Sequence, residues 1–122
     1  MRLSGIMKVH VVSGTLEISI SQIVDLMDLY QISHVPIVDC QSTPVGMITI
    51  DRISRCKESE LRNSDLRSFM MDELFTLDEN CTTEEAESML LGNELRRLCV
   101  TSGSKLVGTV GWVELCQFRL LD

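Results

Sequence analysis

The sequence predicts an α+β fold built from one β-α-β-β-α unit used twice in tandem. Three observations carry this expectation. Apolar and turn-forming residues recur along the chain at a nearly constant offset, two helix-start signatures stand at equivalent places in the two halves, and each half then runs into a pair of short apolar segments joined by turn-forming residues. The offset is 63 positions from Ser19 to Thr82, from Ile32 to Leu95, from Met7 to Met70 and from Ser13 to Thr76. It falls to 62 from Gly46 to Gly108, so one residue has been dropped from the shorter turn of the second half.

Taken in order, each half opens with a leading strand, expected at Lys8–Ser13 and Glu73–Leu77. Ser19-Ile20-Ser21-Gln22 and Thr82-Thr83-Glu84-Glu85 are capping boxes, in which a hydroxyl accepts from an early helix N–H and the later side chain reaches back. Helices are therefore expected to begin near residues 20 and 83. Ile20, Ile23, Met27 and Tyr30 share one face of the first; Ala86, Met89 and Leu90 share one face of the second, with Gly92-Asn93 as its stop. The apolar runs 35–38 and 45–50, then 98–101 and 106–110, are expected to be hairpins. Their connectors, Asp39-Cys40-Gln41-Ser42-Thr43-Pro44 and Ser102-Gly103-Ser104-Lys105, carry turn chemistry. Helical patterning returns with Ile50 and Ile53 and, in the second half, with Val113, Leu115 and Phe118. The polar, charged stretch 55–68 reads as a linker. The chain is thus expected to be a single module over residues 1–122, with motif 1 at 1–56, a linker at 57–67 and motif 2 at 68–122. Met1 and the complete double repeat favour an intact chain.

The whole has 122 residues, 44% of them hydrophobic but only 4% aromatic, so the core must be built from aliphatic side chains and methionine. The formal net charge of −7 disfavours nucleic acid and anionic membranes as partners. A small anionic ligand remains compatible with it, because one pocket can be locally basic. Cys40, Cys56, Cys81, Cys99 and Cys116 are odd in number and lack close pairing, which favours reduced thiols over a disulfide framework or a zinc site. No secretory leader pattern opens the chain and no apolar run is long enough to span a bilayer. A soluble, cytoplasmic protein is expected.

The pattern Ile32-Ser33-His34-Val35-Pro36-Ile37-Val38-Asp39, followed by Gly46-Met47-Ile48-Thr49, resembles the cystathionine-β-synthase (CBS) motif. A weaker second copy runs through Leu95-Arg96-Arg97-Leu98-Cys99-Val100 and Gly108-Thr109-Val110-Gly111. The resemblance spans almost the whole chain, and two copies in register make it specific. It implies two motifs packed with pseudo-twofold symmetry, two clefts between them, pairing of modules into a flat disc, and regulatory binding of an adenosine-containing ligand such as AMP, ADP, ATP or S-adenosylmethionine. Under that resemblance adenine lies against the first two strands, at Val12, Ser13, Val35 and Ile37 in motif 1 and at Thr76, Leu77, Leu98 and Val100 in motif 2. A hydroxyl then meets phosphate, and an aspartate three residues further on accepts from the ribose hydroxyls.

Both copies depart from that arrangement. Thr49 supplies the first hydroxyl, but three residues on stands Arg52, and Asp51 would face about 100° away on a helix. The second copy has Gly111 in place of the hydroxyl and Glu114 as the carboxylate. Arg52 suits bidentate phosphate contact. His34, Arg96 and Arg97 read either as phosphate contacts or as a solvated strand entrance with the arginine stems covering apolar surface. His34 would also titrate near neutrality. Trp112 reads as a base-stacking platform, a dimer contact or a core anchor, and the methionines mostly as core, with Met70 and Met71 as a pair that could line a cleft.

No metal cluster, phosphate-cradling glycine loop, catalytic carboxylate pair or Ser-His-Asp set is present, so an enzyme is not expected. The leading expectation is a regulatory sensor that binds an adenosine nucleotide between its motifs and relays occupancy to an effector protein. The alternative is a ligand-free structural or dimerisation module with degenerate sites. A homodimer is expected, with the apolar faces around Ile53 and around Leu115, Phe118 and Leu121 as its candidate surface.

Overall fold

The computed structural model describes residues 1–59, 65–71 and 73–121, with only the backbone of Leu121. Part of the expected linker and the Leu121 side chain assigned to the dimer surface therefore lie outside the described residues. The chain divides into two compact units, residues 12–74 and residues 1–11 with 75–122.

In the unit of residues 12–74, β1 (Gly14–Thr15) pairs in parallel with β2 (His34–Val38), and β2 pairs antiparallel with β3 (Pro44–Thr49). Helix α1 (Ile20–Tyr30) starts where its capping box predicts: Ser19 Oγ accepts from the Gln22 N–H at 3.1 Å, and Gln22 Oε1 accepts from the Ser19 N–H at 3.0 Å. It ends on Gln31 in the left-handed region, at φ 52°. Ile20, Ile23 and Met27 then fall on one face and join Val35, Ile37, Ile48 and Ile53 in a single apolar core. The hairpin turn is held by Asp39, whose carboxylate accepts from the backbone N–H groups of Gln41 and Thr43 at 2.9 Å each. Helix α2 (Ile50–Ser54) follows β3 directly. A 3-10 turn at Leu66–Phe69 adds Leu66 and Phe69 to the same core, and the Met71 N–H donates to the Met47 carbonyl at 3.0 Å. Met70 lies against Gly46, where a Cβ would collide with its Sδ.

The second unit repeats this plan. β4 (Thr76–Asp78) runs parallel to β5 (Arg97–Ser102), which pairs antiparallel with β6 (Lys105–Gly111). Helix α3 (Thr83–Gly92) is capped by Thr82, whose hydroxyl accepts from the Glu85 N–H at 3.2 Å, and it ends at Asn93 as expected. Helix α4 spans Trp112–Leu121. Residues 1–11 take the place that residues 65–71 take in the other unit. Leu3 is fully buried, the Lys8 N–H donates to the Thr109 carbonyl at 2.9 Å, and Met7 Sδ stands 2.7 Å from where a Gly108 Cβ would be. Met7 and Met70, matched in the sequence by their offset, are thus matched in structural role.

The leading strands require correction. The first lies at Gly14–Thr15, beyond the expected Lys8–Ser13, and the second at Thr76–Asp78, which shares only Thr76 and Leu77 with the expected Glu73–Leu77. The valines at 9, 11 and 12 suggested a strand, but the pairing of residues 1–11 includes the isolated bridge of Lys8 with Thr109. The parallel pairing waits for Gly14, whose missing side chain lets Ile18 and Ile37 close over it; a Cβ there would stand 3.1–3.3 Å from them.

Two of the residues nominated for a dimer surface are core residues: Ile53 is 5% exposed and Leu115 is 2% exposed. Each points into its own unit because it falls on the helix face that its sheet covers. Phe118 is half-buried. Among the described residues the exposed large apolar side chains of α4 are instead Val113 and Leu120.

Candidate functional site

Each unit makes the same kind of corner, in which the last residue of the final strand leads straight into a helix beside the first residue of the middle strand. In residues 12–74 this places Thr49 opposite His34 in the ladder. Thr49 Oγ1 accepts from the Arg52 N–H at 3.3 Å and so caps α2. The Ser33 hydroxyl and His34 Nδ1 are 2.8 Å apart, and the Ile50 N–H donates to the Ser33 carbonyl at 2.9 Å. Arg52 is half-buried and Asp51 exposed, as their separation around the helix requires. The ladder and the helix cap thus bring His34, Thr49 and Arg52 to one corner, with an arginine rather than a carboxylate at the position the resemblance gives to the ribose acceptor.

The corner of the other unit has opposite chemistry. Arg97 opens β5, faces Gly111 in the ladder, and reaches Glu114 on the first turn of α4. Its Nη1 donates to Glu114 Oε1 at 2.6 Å and to Thr109 Oγ1 at 2.7 Å; its Nη2 donates to Glu114 Oε2 at 3.1 Å. The Gly111 N–H donates to Glu114 Oε1 at 3.0 Å, so the carboxylate also caps the helix start. A Cβ at Gly111 would stand 2.7 Å from the Arg96 carbonyl oxygen and 3.2 Å from Arg97 Nη2. The absence of a hydroxyl side chain at position 111 thus has a steric cause. Beneath this corner lies Cys99, on the same strand face as Arg97, where burial pushes its thiol up to about 12 against a small opposing pull from the Arg97 guanidinium.

The structure brings Arg97, Gly111 and Glu114 together and adds Thr109, which sequence reasoning did not single out. Its signal was the two-residue spacing from Gly111, which puts both on one face of β6. Leu98 and Val100 do not join this group. They alternate with Arg97 and Cys99 and are fully buried on the other face. Val35 and Ile37 likewise belong to the core under α1. Val12 is half-buried and Ser13 exposed, both ahead of β1, whereas Thr76 and Leu77 lie in β4, half-buried. Arg96 is exposed, Trp112 is half-buried at the first residue of α4, and Met70 and Met71 are half-buried.

A cleft of about 650 Å³ opens elsewhere in residues 12–74, with Leu16, Ile18 and Val24 among its apolar lining and Glu17, Asp25 and Asp65 among its acids. None of the candidate residues lines it, and its lining residues Glu58 and Asp65 flank the undescribed positions 60–64. Among the described residues no three of His, Cys, Asp and Glu converge as a metal site. No described helix is long and apolar enough to cross a membrane.

Two β-α-β-β-α repeats, each ending in a strand-to-helix corner lined by charged groups, define a tandem-motif module. The family model of the CBS domain matches residues 3–58 and 65–119, and the chain belongs to that family. Among curated proteins no match was found. Solved structures with the same fold include the CBS domain pair of protein MJ0100 in complex with 5′-methylthioadenosine and S-adenosyl-L-methionine, at 19% identity and TM-score 0.85 over 98% of this chain and 95% of that one. CBSX2 in complex with AMP matches at 16% identity and TM-score 0.83 over 98% and 96% of the two chains. The CBS-domain containing protein ATU1752 from Agrobacterium tumefaciens matches at 15% identity and TM-score 0.83 over 98% and 99%.

Proposed function

We propose that this chain is a regulatory module that binds an adenosine-containing nucleotide and relays its occupancy to an effector protein, and that the first repeat carries the site. The observation that supports this most is the grouping of Thr49, Arg52 and His34 at one corner of residues 12–74. Arg52 offers a forked, permanently charged donor for phosphate, and the Thr49 hydroxyl and the His34 ring add polar contacts. The complexes of similar domain pairs with AMP and with S-adenosyl-L-methionine support the ligand class. Arg52, at the position the resemblance gives to a carboxylate, directs recognition toward the phosphates rather than the ribose. Five free thiols and the acidic surface suit a reducing, cytoplasmic setting. The module carries no catalytic constellation on this reading, and it pairs with a second copy.

The test is a thermal-shift screen with AMP, ADP, ATP and S-adenosylmethionine. A ligand present at about 100 times its dissociation constant stabilises the fold by about 2.7 kcal/mol, a rise of about 10 °C in Tm for a chain of this length. Arg52→Ala should abolish the shift while Glu114→Gln preserves it. A flat response to all four compounds overturns the proposal. It would favour the second reading, a ligand-free interaction module, to which the closed Arg97–Glu114 pair already lends support.

A further inference from the structure

In the second repeat the guanidinium of Arg97 is engaged by three partners: both oxygens of Glu114 and the hydroxyl of Thr109. Glu114 is committed as well, since Oε1 takes a further bond from the Gly111 N–H. The space is also used. The guanidinium carbon stands 3.3 Å from where a Gly111 Cβ would be, flat against the backbone that opens α4. The Arg97 and Glu114 side chains keep only 21% and 11% of their accessibility, so water has little part in the pair.

A carboxylate that accepts two donors from one planar group is a receptor for any group presenting two adjacent donors, and a vicinal diol is another such group. Arg97 therefore stands to Glu114 as a sugar diol would. A nucleoside entering here must break a two-bond ionic contact and strand a shielded cation, which is a costly exchange for two neutral O–H donors. At the equivalent positions of the first repeat stand His34, Thr49 and Arg52.

We propose that Arg97 is a built-in occupant that closes the strand-to-helix corner of the second repeat to external ligand. The proposal rests on the nucleotide reading for the identity of the excluded ligand; the closure itself is a property of the Arg97–Glu114 corner.

The experiment follows backbone amides by NMR in the wild-type chain during titration with AMP. The amides of Gly111 and Glu114 should stay in place. Their movement, saturating with AMP, overturns the proposal. Movement at Thr49 and Arg52 supports the first-repeat reading, and its absence defeats that reading alone, leaving closure of the second corner intact. A second arm titrates adenosine, which lacks phosphate, into Arg97→Ala. Opening the corner should let adenosine bind at least about tenfold more tightly than to wild type, with Gly111 and Glu114 as the moving amides. Arg97→Ala/Glu114→Ala should lose that gain. A folded Arg97→Ala chain that gains no adenosine binding overturns the proposal, and if the variant does not fold, Arg97→Thr, which keeps a strand-forming side chain, takes its place.

Discussion

Gly111 carries more of the second repeat's character than any charged residue there. With the Arg96 carbonyl 2.7 Å from its would-be Cβ, any larger residue forces β5 and β6 apart or dislodges the Arg97 fork. Gly111→Thr, which would restore the hydroxyl that the first repeat has at Thr49, should therefore destabilise the fold by about 1–3 kcal/mol in urea unfolding rather than repair a site. Cys99 makes a second prediction at this scale. Its thiol is raised from 9.0 to about 12 in the folded chain, so the native state holds its proton while the unfolded state begins to lose it near pH 9. The contribution is fully present below pH 9 and is lost as pH climbs toward 12, with a slope of at most about 1.4 kcal/mol per pH unit. Tm measured from pH 8 to 11 should fall more steeply for wild type than for Cys99→Ala. A thiol reagent at neutral pH should label the exposed Cys40 and Cys116 long before Cys99.

Helix starts, hairpins and the duplicated order of elements were legible because each has a local cause. Ser19→Ala removes the hydroxyl that accepts from the Gln22 N–H but keeps the backbone N–H that donates to Gln22 Oε1, and it should cost about 1 kcal/mol by chemical denaturation. Thr82→Ala should cost a similar amount through the bond to Glu85. The leading strands were not legible, because a strand of two or three residues is fixed by the partner it meets: Gly14 pairs with Ile37 only where Ile18 and Ile37 can close over it. The site was half legible. Gly111 and Glu114 were named through the resemblance and Arg97 from its place before the second strand, but nothing in the linear order says that the cation and the acid satisfy one another, since the bond joins residues 17 apart through a ladder register. Leu98 and Val100 were expected to face adenine because the resemblance implies it, whereas the pleat that sends Arg97 and Cys99 to one face sends these two to the other.

At the scale of the molecule, the charge of −7 and the exposed apolar side chains make separate predictions. In α4, Leu120 is 86% exposed and Val113 60% exposed; in α1, Leu29 is 71% exposed. The proposed pairing of two copies should cover some of these. Light scattering should give twice the chain mass, and Leu120→Glu with Val113→Glu should halve it while leaving a cooperative melt whose Tm no longer depends on protein concentration. A single-chain mass for wild type would remove self-association from the proposal. Moderate salt should strengthen the pairing, because like charges on two acidic surfaces are screened.

The exchange of the two short segments bears on how the gene can be cut. Residues 1–11 complete the later half of the chain, and residues 65–71 complete the earlier half. A fragment ending at residue 56 would carry a stretch it has no use for and lack Leu66, Phe69 and Met70, the roof of its own core. The autonomous piece is 12–74 instead. It should melt cooperatively on its own where 1–56 does not, and a rearranged gene that places residues 1–11 immediately before residue 75 would keep each piece with its own roof.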